Sequence, residues 1–286
     1  MIQSYIPPPA RYASRCPVFV SGQPPAISLR PVTTPGAGQE TPVKDDEPAG
    51  IPRRATGREN TASSPITPER TPCMNKLIDL ERAVDLVKEG DTVFVGGFLG
   101  VGSPHRLLDA LVRRGTRNLT LICNDTAFPE IAVGKLVVNK QFRRIITSHI
   151  GTNRETGRQM LAGETEVVLV PQGTLIEQIR AAGYGLGGVL TRTGLGTAVA
   201  EGKRVVNLDG EDWLLETPLR ADVALIAATR ADRWGNLFYH GATRNFNNIT
   251  ASAAKITICE VGELLDTHMD PDIVHTPGVF VNHLVV

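Results

Sequence analysis

From residue 74 onward, apolar and polar positions follow two rhythms in turn. Leu77, Leu80, Val84 and Val87 recur at the spacing of one helix face, and Gly90 follows as a stop signal, which predicts a helix over residues 77–88. Residues 92–95 form a short β-branched run, read as a buried strand. Ser103 and Pro104 then have the chemistry of an N-cap and a first helical residue, opening a helix that reaches about Arg114. Further apolar runs predict strands at 119–123, 144–150, 167–170, 224–227 and 256–259. A polar helix is expected over about 155–162, and another after Pro171 through Ile176, Ile179 and Arg180. Strands alternating with helices of this length imply an α/β fold, a mostly parallel sheet with helices on both faces. No internal repeat interrupts the pattern.

Residues 1–73 have neither rhythm. Fourteen of the twenty prolines fall there, among Ser, Thr, Gly and Gln. Such a stretch buries too little apolar surface to offset its conformational entropy, so it is expected to be a disordered extension, with one domain over residues 74–286. Its longest apolar piece, Val18-Phe19-Val20, is too short for a signal peptide. Arg11, Arg15 and Arg30 suggest a transit peptide, but the prolines and the Asp45-Asp46-Glu47 run oppose that reading. The expectation is therefore that translation starts at Met74.

Composition narrows the function classes. Lys+Arg and Asp+Glu both number 30, so no excess charge points to nucleic acid or to an anionic membrane. No apolar run approaches the roughly 18 residues of a membrane helix, and a cytoplasmic protein is expected. Cys16, Cys73, Cys123 and Cys259 are scattered without a CxxC pair, which argues for reduced thiols and against a metal site.

Three stretches carry candidate chemistry. Gly96, Gly97, Phe98, Leu99, Gly100, Val101 and Gly102 follow a strand and precede a helix. Glycines there let a backbone approach a ligand closely, and the position is the carboxyl edge of a parallel sheet, where α/β proteins bind ligands. The glycine spacing fits neither the dinucleotide fingerprint nor a P-loop; a tight structural turn is the plain alternative. Gln172, in Pro171-Gln172-Gly173-Thr174, opens a helix at another strand end. Its amide could donate to a carbonyl oxygen acquiring charge, or simply cap the helix. His149 could be a base or a packing residue. The glycines at 183, 185, 187, 188, 194 and 196 read as a flexible loop beside the Gln172 helix.

Together the blocks GGFxxxGxP (96–104), NDTAF (124–128), SHIGTN (148–153), PQGTLIEQIR (171–180), TxTGxGT (191–197), ADxALIxAxRAD (221–232), GNLxY (235–239) and ATRNFN (242–247) resemble the A (α) subunits of family I coenzyme A transferases. Acetate/acetoacetate:CoA transferases are similar, and succinyl-CoA:3-oxoacid transferase is related. The resemblance runs from about Asn75 to Val286. Glu89-Gly90 and Ala242-Thr243 are mild departures from it.

The resemblance implies a covalent double displacement, in which a glutamate carboxylate becomes first an acyl anhydride and then a CoA thioester. That glutamate belongs to the B (β) subunit, in a Glu-Asn-Gly context. The present chain has no Glu-Asn-Gly; Glu59-Asn60 is followed by Thr61. What the resemblance assigns to this chain is the 96–102 loop as a CoA-binding stretch and Gln172 as an oxyanion donor. Coenzyme A enters as substrate, with no permanently bound cofactor. Glu130, Glu164, Glu177 and Glu216 are expected to be solvated or helix-face acids. Two other readings share the fold: a stand-alone sugar-phosphate isomerase-like enzyme and an acyl-CoA sensor.

Overall fold

A computed structural model describes residues 76–286; the Pro-rich extension and the boundary expected at residue 74 lie outside the described residues. In chain order the helices are α1 (Leu80–Asp85), α2 (His105–Arg114), α3 (Val133–Val138), α4 (Arg154–Leu161), α5 (Gln172–Gly183) and α6 (Asn247–Thr250). The strands are β1 (Thr92–Val95), β2 (Leu119–Asp125), β3 (Phe142–His149), β4 (Glu166–Leu169), β5 (Val189–Thr191), β6 (Val205–Leu208), β7 (Glu211–Glu216), β8 (Ala221–Asp232), β9 (Leu237–Phe238), β10 (Ala254–Leu265) and β11 (His283–Val285).

Seven strands form one parallel sheet in the order β11-β10-β8-β1-β2-β3-β4, and β9 folds back antiparallel on the end of β8. Successive residues of a strand face opposite sides, and β1 shows the consequence. Val93 and Val95 join Leu107, Leu108 and Leu111 of α2, Leu136 of α3 and Val84 of α1 in one core. Phe94 joins Leu175 and Ile179 of α5 and Ile249 of α6 in a second core on the other face. Each of the fully buried leucines of α2 contributes roughly 1.5–3 kcal/mol by leaving water. The helices of both layers thus fix the strand ends between them, and this places the site.

Three local expectations are corrected. The first helix is shorter than its apolar stripe: Asp79 caps it by accepting Arg82 N–H at 2.7 Å, and Leu77 lies instead beside Leu284 of β11. Gly90 (φ 84°) turns the chain into β1 after the helix has already ended. Ser103 is not an N-cap; its buried hydroxyl donates back to Gly96 O at 3.0 Å. The donor exposed at the start of α2, Leu107 N–H, is received by Glu260 of β10 at 2.9 Å.

The glycine-rich stretch after α5 is not simply a loop. It contains β5, which pairs with β7 in a small antiparallel sheet of order β5-β7-β6. The β6–β7 hairpin turns on Asp209 and Gly210, both at positive φ (51° and 85°), as a type I′ turn requires. Among the described residues, no helix is long and apolar enough to cross a membrane.

Candidate functional site

The 96–102 stretch is a built turn at the carboxyl end of β1. Phe98 and Val101 exchange two backbone hydrogen bonds, at 3.0 and 2.9 Å. Between them Leu99 (φ 49°) and Gly100 (φ 87°) are both left-handed, again the type I′ geometry. A left-handed leucine costs roughly 1–2 kcal/mol. The carboxylate of Asp125, at the end of β2, offsets that cost by accepting Leu99 N–H at 3.0–3.2 Å. His105 Nε2, on the first residue of α2, donates to Gly100 O at 3.0 Å.

The rest of the turn is held from far along the chain. Asn247 is fully buried; its Nδ2 donates to Gly102 O at 2.8 Å and Thr243 O at 2.7 Å, and its Oδ1 accepts Ala227 N–H at 3.2 Å. Asn245 Nδ2 donates to Val101 O at 2.9 Å. The 242–247 segment therefore clamps the turn from outside. Two glycines make room around the turn: a Cβ on Gly96 would lie 1.9 Å from Asn247 Oδ1 of the clamp, and one on Gly97 would lie 2.0 Å from Ser103 Oγ, which closes the turn from within.

The turn and Gln172 share one cleft of about 360 Å³, walled by Phe98, Leu99, Asn124, Asp125, His149 and Gln172, with Ser148 and Thr152 completing it. Gln172 begins α5 without capping it, and its Nε2 donates to Asn124 Oδ1 at 2.6 Å. Ser148 Oγ lies 2.7 Å from Asn124 O and 3.1 Å from Asn124 Oδ1. Asn124 Nδ2 donates to Asp125 Oδ2 at 2.8 Å. His149 is exposed at the end of β3, and its ring comes within 2.9 Å of where a Cβ on Gly151 would stand. Behind this wall Cys123 is buried beside Thr147, and burial pushes its thiol well above the ordinary cysteine range, so it stays protonated and inert.

Of the four acids expected on solvated faces, Glu216 is the exception. It is 2% exposed at the end of β7, where its carboxylate accepts Lys203 Nζ at 2.6 Å and Gln178 Nε2 at 3.0 Å. Glu164 and Glu177 do sit on the surface, paired with Arg158 and Arg180. Glu216 joins the small sheet to α5 and is not part of the cleft. Among the described residues, no group of three or more His, Cys, Asp or Glu could hold a metal ion.

The turn and Gln172, both prominent in the sequence, stand on one cleft. Asn245 and Asn247 reach the turn only through the fold, and nothing in the NDTAF block by itself gave a role to Asn124 or Asp125.

Residues 77–286 match the family model for coenzyme A transferases. The chain is 56% identical over 212 residues to an acetate CoA-transferase subunit alpha of Escherichia coli K12, covering 74% of this chain and 96% of that one. It is 47% identical over 212 residues to the alpha subunit of an acetoacetyl-CoA:acetate/butyrate CoA transferase of Clostridium acetobutylicum, covering 74% and 97%. Among solved structures, glutaconate coenzyme A-transferase of Acidaminococcus fermentans superposes with a TM-score of 0.66 at 22% identity, over 74% of this chain and 75% of that one. An acyl-CoA transferase of E. coli O157:H7, in a thioester complex with CoA, gives 0.66 at 21% identity over 77% and 48%; these two likenesses speak for the fold. The extent of the sequence match makes the chain a member of the coenzyme A transferase family, as a subunit of the α (A) type.

Proposed function

We propose that this chain is the α half of a heteromeric enzyme that moves CoA between an acyl-CoA and a short-chain carboxylate such as acetate or acetoacetate, with a β partner supplying the nucleophile and the assembly working in the cytoplasm. The partner's glutamate carboxylate attacks the thioester carbonyl and expels CoA thiolate, leaving an acyl-glutamyl anhydride. The thiolate then attacks the glutamyl carbonyl and releases the acyl group as a carboxylate, leaving a glutamyl-CoA thioester. An incoming carboxylate runs the two steps in reverse. In this reading the 96–102 turn receives CoA, and Gln172 donates to the carbonyl oxygen as charge develops on it.

One observation carries the reading. Asp125 is the carboxylate lining the cleft, and both its oxygens already accept N–H donors, from Leu99, Ala127 and Asn124. A carboxylate so engaged is a poor nucleophile, so the cleft calls for one from another chain. Gln172 suits the supporting role: a primary amide has two N–H bonds, and Asn124 takes one of them. Substitution of Gln172 by Ala in the assembled enzyme is expected to lower kcat by about 10²–10³-fold with assembly intact. Near-normal turnover refutes the role of Gln172, and a glutamyl-CoA adduct found by mass spectrometry on this chain refutes the division of labour.

A further inference from the structure

A side-chain amide has two ends of similar shape, and its surroundings decide which end points where. At Gln172 that choice determines whether the cleft meets a donor or an acceptor. Three groups in series make the choice. Asp125 is 5% exposed and has donors on both oxygens: Ala127 N–H at 2.8 Å and Leu99 N–H at 3.0–3.2 Å come from the backbone and cannot be reversed. An acceptor-only group at this point obliges Asn124 to turn its Nδ2 toward it, 2.8 Å from Oδ2. Asn124 Oδ1 then faces the opposite way, where Gln172 Nε2 donates at 2.6 Å and Ser148 Oγ lies at 3.1 Å. Gln172 has to present nitrogen.

We infer that Asp125 is a positioning residue whose carboxylate sets the polarity of two amides in series, Asn124 and then Gln172. The inference rests on the reading of Gln172 as the donor to the carbonyl oxygen. The same carboxylate holds the left-handed Leu99 N–H, so one group fixes both the turn and the amide that face the cleft. In Asp125→Asn the new NH2 must oppose a donor whichever way it turns. Directed at Leu99 and Ala127, it breaks the turn's anchor. Directed at Asn124, it favours a reversed Asn124 amide, whose nitrogen then faces Gln172 and turns that amide over in its place.

The test is a double-mutant cycle in the enzyme assembled with its β partner. Asp125→Asn is expected to lower kcat on the order of tenfold or more, with KM for acyl-CoA changed less than kcat. In a Gln172→Ala background that factor in kcat is expected to vanish, because the amide series through which Asp125 acts on the carbonyl donor is gone, while any rise in KM from a loosened Leu99 anchor persists. A merely structural role would lower turnover by the same factor in both backgrounds. Should Asp125→Asn fail to assemble, Asn124→Ala cuts the series while leaving the backbone donors on Asp125, and the same loss and the same disappearance are expected. Unchanged kcat in the single variant, or an equal loss in both backgrounds with Gln172→Ala itself impaired, overturns this inference alone. Unchanged turnover in Gln172→Ala overturns the role of Gln172 and this inference with it.

Discussion

A single methyl group at Gly96 should unfasten the turn that faces the cleft. Gly96 does not have a positive φ, so alanine there meets no backbone strain and the outcome depends on space alone. The added Cβ would stand 1.9 Å from Asn247 Oδ1 and 2.8 Å from its Cγ, and the Asn247 side chain has no exposed route of escape. Displacing that amide breaks its bonds to Gly102 O, Thr243 O and Ala227 N–H. At about 1 kcal/mol for each bond, with a further overpacking strain of similar size, the loss comes to roughly 4 kcal/mol. For a domain of this size that is a fall in Tm on the order of 10 °C. Thermal unfolding of the assembled protein, followed by circular dichroism, measures it, and KM for acyl-CoA should rise in parallel. A variant melting within about 2 °C of the parent would show that Asn247 can move at little cost, and the clamp argument would fail.

Other outcomes follow from the same contacts. A Cβ added to Gly157, inside α4, would meet nothing within 4 Å, and the residue has no positive φ, so Gly157→Ala should stabilise the protein by about 0.5–1 kcal/mol in denaturant unfolding. Glu216→Ala strands Gln178 and Lys203; because Lys203 still reaches water, the expected cost is about 2 kcal/mol, seen as an earlier denaturant midpoint. For Asp232, burial works to raise the carboxyl pKa, but N–H groups of Met269, Asn236 and Trp234 outweigh it and hold the group below its ordinary 3.8. The unfolded chain therefore takes up this proton first. The stability Asp232 supplies is complete above that ordinary value and is lost as pH falls through the lower folded one. Asp232→Asn should flatten the acid limb of stability against pH, and an unchanged limb would count against the assignment.

The parallel sheet was legible because its central strands are buried on both faces and so read as apolar runs rich in β-branched residues, as at Thr92–Val95. Strand ends were read short where polar residues continue the pairing: β8 and β10 each run twelve residues, out to Asp232 and Leu265. The small sheet was missed because β5, β6 and β7 are short and largely exposed, although Asp209-Gly210 between two apolar stretches is a hairpin signal. In the cleft, Gln172 and the 96–102 glycines stood out by position at strand ends. Asn247 could not, because its meaning lies in a contact with a carbonyl 145 residues earlier in the chain, which no local pattern encodes.

The strand order also sets a schedule for biosynthesis. β1 lies in the middle of the sheet between β2, which follows it closely, and β8, made more than a hundred residues later. At about 5–20 residues per second, a ribosome leaves that second edge of β1 without its partner for roughly ten seconds. During this interval β1 to β4 can pair among themselves, while the N–H and C=O groups along one side of β1 stay open to any other strand. Newly made chains should accordingly be most prone to misassociation before β8 emerges, and a chaperone that shields this one edge would raise the yield of folded subunit.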